Sequence, residues 1–302
     1  MRDGVCSIVG LVRSKPPPKL SAELPQIEPP DIVAAESAPK APPPPSYAPV
    51  TLLPVMVPPL IYNTPPEVAA LTYTNIYDGI FCSRPNRFIA EVEINGIVKR
   101  CHIKNTGRCK ELLVPGAKVI LNKPGSLHRA TKYDLVMVKK GISLINIDSQ
   151  APNYVFREYL QSGHYMADIT LIKSEVKYGG SRFDFYVEAD NRKIFIEVKG
   201  VTLEQSGIAL FPDAPTERGI KHLHELKQSI TKGYEAHVVF IIQMKGISRF
   251  APNYEIHPEF GAALVDAHMA GVKVSALDCI VTPDSLTIGS TVPISLKPED
   301  TE

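Results

Sequence analysis

The chain has 302 residues, 44% of them hydrophobic, and a formal net charge of +1. That length accommodates two domains or one large one, and the near-neutral total by itself points to no polyanionic partner. Five cysteines without a C-x-x-C pair exclude a dense disulfide framework and a zinc ribbon and fit a reducing compartment, while no apolar run is long enough to span a bilayer.

In chain order, the first segment is set apart by proline. Of 28 prolines, 17 fall within residues 1 to 70, in runs such as "SKPPPKL" and "APPPPSYAP". Such a segment continues neither helices nor central strands, so residues 1–71 are expected to form a proline-rich disordered tail. It could be inert, or recruit a partner domain. Its acids (Glu23, Glu28, Asp31, Glu36) are unlike an acid-poor transit peptide. The expected compartment is the cytoplasm, with an organelle-targeting leader in the first twenty residues left open.

Residues 72–150 read as a small β-domain. "RFIAEVEINGIVKRCHI" is a hairpin around Asn95-Gly96, the strongest short turn signal, pairing Ile94 with Ile97 and Ala90 with Cys101. "AKVILN" follows the Pro115-Gly116 turn, and "YDLVMVKKGISLINID" supplies two more strands. About five short strands predict an OB-like barrel. From Lys99 to Lys140 the chain carries eleven Lys and Arg against two acids. That local excess suits a nucleic-acid backbone, with Arg100, Lys104, Arg108 and Lys110 as candidate contacts. Aromatic residues for base stacking are sparse.

Residues 151–296 read as an α/β domain. "PNYVFREYLQSGH" predicts a helix ending near Gly163, and "ADITLIKSEVKYGG" contains a strand. "TERGIKHLHELKQSITKG" predicts a helix capped by Thr216, with Ile220, Leu223, Leu226 and Ile230 inward. "EAHVVFIIQ" is apolar throughout, as a central strand would be. A helix over Pro258 to Ala270 and a last strand in "VKVSALDCIVT" complete the order. The predicted fold is a mixed sheet flanked by helices.

Within this domain, "FDFYVEADNRKIFIEVKG" (183–200) alternates with period two on both sides of a polar break. A two-residue loop at Asp190-Asn191 pairs Val187 with Ile194, Phe185 with Ile196 and Phe183 with Val198. It also places Asp184 opposite Glu197 and Arg182 opposite Lys199. Two carboxylates facing each other across a strand pair repel. A divalent cation between them removes the conflict, and Mg²⁺, with Mn²⁺ as a substitute, suits two carboxylates plus waters. Lys199 lies on the same face and could hold an attacking water or stabilise a phosphate. The alternative is a solvated cross-strand charge network. Glu158, on the preceding helix, is a further candidate ligand, and Gln243 ends the central strand nearby. Arg182, Arg218 and Lys221 are candidate phosphate contacts, the last two at a helix N-terminus. His222 and His224 lie two apart on a helix and share no face, which gives no histidine metal site.

The order of elements resembles the core of the PD-(D/E)XK nuclease superfamily. More closely, the chain resembles the sugar fermentation stimulation protein A (SfsA) family. The matching stretches are "NTGR" (105–108), "SRFDF" (181–185), "IEVKGVTL" (196–203) and "LFPDAPTERGIKHLHEL" (210–226). They lie within about residues 75 to 296, and the tail lies outside. The resemblance implies an N-terminal OB-like domain and a C-terminal nuclease-like domain that binds DNA and cleaves DNA or RNA. Asp184, Glu197 and Lys199 match its catalytic trio.

The expectation is therefore a metal-dependent nuclease hydrolysing phosphodiester bonds in DNA or RNA, with no membrane partner and no stated oligomeric state. A non-catalytic DNA-binding regulatory protein that keeps the same fold is the alternative.

Overall fold

In a computed structural model, residues 69–105, 107–125 and 129–297 are described. The proline-rich tail lies outside the described residues up to residue 68. A short strand, β1 (Leu71–Thr72), opens the described chain. The barrel strands follow: β2 (Ile76–Asn86), β3 (Ile89–Ile94), β4 (Ile97–Ile103), β5 (Lys118–Asn122), β6 (Asp134–Lys140) and β7 (Ser143–Asn146). They hydrogen-bond in the order β4-β3-β2-β5-β6-β7, and β4 also pairs with β6. That parallel pairing, His102 with Asp134 and Ile103 with Leu135, closes a five-stranded ring of the OB type. Val92, Cys101, Ile103, Leu121, Leu135 and Val138 fill it.

The Asn95-Gly96 turn forms as read from the sequence. Both residues have positive φ, 50° and 76°, as a type I′ hairpin turn requires, and Ile94 pairs with Ile97 and Ala90 with Cys101. The opening strand β2 has no counterpart among the sequence expectations. Its sequence, IYDGIFCSRPN, is broken by Gly79 and Pro85 and carries no clean alternation. Gly79 is required by the barrel's curvature: a Cβ there would lie 2.5 Å from Val92 Cγ1 and 2.9 Å from Leu121 Cδ1.

The second part contains α1 (Ala151–Gln161), β8 (Ile169–Tyr178), β9 (Ser181–Ala189), β10 (Arg192–Val201), β11 (Leu203–Gln205) and β12 (Ile208–Phe211). After these come α2 (Glu217–Ile230), β13 (Glu235–Ile242), β14 (Arg249–Pro252), α3 (Pro258–Met269), β15 (Lys273–Thr282) and β16 (Ser285–Thr291). A seven-stranded mixed sheet runs β1-β16-β15-β13-β10-β9-β8. β13 is its middle strand and is buried from Ala236 to Ile242, as its apolar sequence predicts. β15 is not the last strand, because β16 pairs back on it and receives β1. A small sheet, β11-β12-β14, is likewise absent from the sequence expectations. Its strands are three or four residues long, too short to show periodicity.

Helices cover both faces. Alternate β13 residues Val239 and Ile241 join Val155, Phe156 and Leu160 of α1 in one cluster. Val238, Phe240 and Ile242 join Leu223 and Leu226 of α2 and Phe260 and Leu264 of α3 in another. On β10 the same alternation puts Ile196 and Val198 with α1, so Glu197 and Lys199 look toward α2. Among the described residues no helix is long and apolar enough to cross a membrane, and Cys82, Cys101, Cys109 and Cys279 are free thiols.

Candidate functional site

The β9–β10 hairpin turns at Asp190-Asn191, both with positive φ. Its register is the expected one from Ala189 opposite Arg192 to Phe185 opposite Ile196. There the ladder stops. Phe183 pairs instead with Val176, and Arg182 with Lys177, both on β8, while β10 continues beside β13 through Val201. The expected pairs Asp184–Glu197, Phe183–Val198 and Arg182–Lys199 are absent from the ladder because the two strands part. Phe183 turns away from Phe185 and lies near Phe195 and His222. Register arithmetic assumes that a ladder, once started, continues. Here it ends at Phe185–Ile196, while β9 stays paired with β8 and β10 with β13.

The fork holds the candidate site. Asp184 Oδ2 accepts the Val198 backbone N–H at 2.8 Å, replacing the lost strand partner, and Oδ1 accepts Asn153 Nδ2 at 2.9 Å. Glu197 is buried, 4% exposed. Its Oε1 receives Lys199 Nζ at 2.5 Å and also His222 Nδ1. Its Oε2 is buried and, among the described residues, has no hydrogen-bond partner. A buried acceptor left unpaired is costly, so this oxygen marks a place where a cation or a donor fits.

The electrostatics agree with two nearby carboxylates. Burial, and then the charge of Glu197, push the Asp184 carboxyl up to about 6, against the pull of Val198 N–H, Lys199 and Asn153. Glu197 takes the opposite course. Burial works to raise it, but the His222 hydrogen bond and the Lys199 charge hold it below the usual carboxylate range. One carboxyl of the pair thus stays ionised while the other is poised near neutrality.

Asp184, Glu197 and Lys199 are therefore brought together, and Glu158 is not. Asn153, not Glu158, is the α1 residue that touches Asp184. Glu158 lies five residues further along α1, turned well away from Asn153, and α1 covers the sheet face opposite to Glu197. Among the described residues no three His, Cys, Asp or Glu side chains group as a metal cluster. Two carboxylates are what this chain offers here. Asn153 and His222 join the site without having been readable as members from the sequence. The only signal for His222 is its place on α2 four residues after Arg218, whose Nε donates to His222 Nε2 at 3.3 Å.

The candidate basic residues divide. Arg100 lies on β4 and Arg108 and Lys110 on the connection to β5, and all three are exposed. Arg182 is exposed and pairs with Glu175 at 3.5 Å. Arg218 begins α2 beside His222, and Lys221 reaches Gly180 O at 2.8 Å. Lys104 departs from expectation: its ammonium is bound to the buried Asp148 carboxylate at 2.5 Å, so it is a structural cation. Gln243, at the end of the central strand, is buried. It is 1% exposed and donates to Asn146 Oδ1 and Asp148 O, joining the central strand to the segment that leaves the barrel.

Just past Lys199, a cavity of about 120 Å³ lies between the barrel and the sheet, lined by Asn105, Gly107, Gly200, Phe211, Asp213 and Gln243, among others. Asn105 and Gly107 reach it because Arg84 holds the carbonyls of Asn105, Gly107 and Arg108, and Arg108 N donates to Asp213 Oδ2 at 3.1 Å. Residues from three stretches remote in sequence, 105–108, 196–203 and 210–226, thus meet at one place.

An OB barrel joined to a mixed α/β sheet, with a forked carboxylate–lysine group at a strand parting, defines the class of this protein. The comparisons narrow it. The family model "SfsA N-terminal OB domain" matches residues 82–147, and "Sugar fermentation stimulation protein RE domain" matches 150–285. A sugar fermentation stimulation protein homolog of Desulfitobacterium hafniense is 59% identical over 226 residues, covering 75% of this chain and 99% of the relative. One from Clostridium beijerinckii is 54% identical, with 75% and 100% covered. The solved structure of Pyrococcus furiosus SfsA in complex with Ca²⁺ superposes with a TM-score of 0.69 at 27% identity, covering 74% of this chain and 98% of that one. The chain belongs to the SfsA family.

Proposed function

We propose that this protein is a metal-dependent phosphodiesterase of the PD-(D/E)XK type that hydrolyses DNA or RNA. The observation that carries the reading is the unpartnered, buried Oε2 of Glu197 beside a second carboxylate. Two acids and an open acceptor fit a hard divalent ion such as Mg²⁺ or Mn²⁺. The Pyrococcus furiosus relative, solved in complex with Ca²⁺, supports a hard divalent cation as the ligand here.

Asp184 and Glu197 would hold the ion. When bound, it supplies Lewis-acid charge to a phosphate and acidifies a coordinated water. Lys199 Nζ, anchored on Glu197 Oε1, keeps further N–H groups for a phosphoryl oxygen or an attacking water. Arg218 and Lys221 stand at the start of α2, where backbone N–H groups also favour an anion. Arg100, Arg108 and Lys110 on the barrel, with Arg182, extend the contact along the nucleic-acid backbone.

The test is a cleavage assay on single- and double-stranded DNA and RNA with Mg²⁺, Mn²⁺ or EDTA. Cleavage should require the metal and fall by at least roughly 100-fold in Asp184→Ala and in Lys199→Ala, the scale of losing a transition-state charge contact. Full activity in both variants refutes the assignment. Salt-sensitive binding without cleavage in the wild type would instead support the non-catalytic alternative.

A further inference from the structure

The geometry points to His222 as a positioning residue, fixed in one tautomer by Arg218, that orients Glu197 so that Oε2 alone faces the ion. This rests on the reading above. It assigns a task to a buried histidine that neither the sequence pattern nor the carboxylate–lysine trio includes.

Donors and acceptors fix the tautomer. An arginine Nε always carries hydrogen and cannot accept. Arg218 Nε lies 3.3 Å from His222 Nε2, so Nε2 is the accepting nitrogen. A neutral imidazole with a bare Nε2 carries its hydrogen on Nδ1. Nδ1 is the atom against Glu197 Oε1, and it donates there. Lys199 donates to the same oxygen. Oε1 is thereby saturated, and Oε2 is left buried and unpaired.

A carboxylate on a strand can rotate about its last bond, exchanging its two oxygens. Two donors converging on one oxygen remove that freedom. His222 is 3% exposed and packs edge-on to Phe183 at 6.2 Å, so its ring is held by the core. The fork that displaces Phe183 from the β9–β10 ladder therefore also seats the ring that aims Glu197. Arg218, by contrast, is exposed at its outer end. Its Nη groups remain available at the same helix start where a phosphate would sit. The line Arg218–His222–Glu197 links the anion side of the site to the cation side.

Hydrogen-bonded partners of metal-binding carboxylates typically change affinity by roughly 10- to 100-fold when removed. Asn places its amide nitrogen where Nδ1 stood, and Gln places one where Nε2 stood. His222→Asn should keep Mg²⁺ affinity close to wild type, by isothermal calorimetry on the full chain. His222→Gln and His222→Leu should lose it by roughly 10- to 100-fold. Arg218→Met, at an exposed position, should lose less, because it frees the tautomer without removing the ring. Circular dichroism and the melting temperature identify any variant that fails to fold, and ¹⁵N spectra of the wild-type imidazoles need no variant at all. In the metal-free protein they should show His222 protonated on Nδ1 and bare on Nε2.

An Nε2–H tautomer, or equal affinities in folded Asn and Gln variants, overturns the proposal. The two readings fail separately. If Asp184→Ala abolishes Mg²⁺ binding while every His222 variant binds as wild type does, only the histidine inference is lost. If Asp184→Ala binds and cleaves normally, the metal site itself is misassigned, and the NMR result still decides the tautomer.

Discussion

Asp184 has two tasks that conflict in water and are reconciled by burial. It caps a backbone N–H at the strand fork and it stands beside Glu197. Folded, its carboxyl holds a proton more tightly than the ordinary value of 3.8, up to about 6. In the metal-free protein its contribution to stability is present below about pH 4 and lost as pH rises through about 6. At the proposed metal site cation binding would have the opposite dependence, because the proton competes with the ion. Mg²⁺ affinity should climb between about pH 5 and 7 and level off above. Calorimetric titration across that range checks it, and a flat profile contradicts it. Asp184, Glu197 and Lys199 are legible in the sequence, since charged residues interrupting an apolar alternation ask for an explanation. Asn153 and His222 are not. They arrive from helices whose placement over the sheet is a tertiary outcome, and an Asn or His on a helix carries no local sign of its target.

At the level of single elements, turn chemistry and periodicity are reliable guides. The two hairpins carry positive φ at Asn95-Gly96 and at Asp190-Asn191, and each register follows from its turn. α2 begins where Thr216 predicts, with its hydroxyl accepting Gly219 N–H at 3.1 Å. Thr216→Ala should cost about 1 kcal/mol of stability, read from urea denaturation. It should also weaken metal and nucleic-acid binding slightly, because α2 carries His222 and Arg218. No loss of stability would mean that the Gly219 contact is replaced by water at no cost. What the elements do not reveal is where they separate. Beyond the end of the β9–β10 ladder the two strands keep their other partners, β8 and β13, and no residue between 183 and 200 announces the parting. Strand β2 escapes notice for a related reason: barrel closure, not alternation, shapes its sequence.

For the whole molecule, the informative feature is the polar junction between barrel and sheet. Lys104, just past β4, binds Asp148, which also takes the Tyr73 hydroxyl at 3.3 Å, and Asn146 and Gln243 complete the group. Asp148 is 2% exposed. Lys104→Met would leave that charge without its cation and should destabilise the fold by about 3 kcal/mol, measured by denaturant unfolding. If binding to nucleic acid fell while stability held, Lys104 would be a surface contact after all. The domain order is readable from composition and turns. The junction is not, because a lysine in a basic stretch looks like one more surface charge until its partner, 44 residues on, is seen.

The strand parting has one more consequence. Past Ile196 the β8–β9 hairpin is tied to β10 by a side chain, where a continuous ladder would have used backbone alone. Whatever draws electron density from Asp184 also weakens its grip on the amide of Val198. Under the proposed metal site, an ion bound at Asp184 would therefore loosen this tie between the two strands, and the Val198 amide resonance would report it.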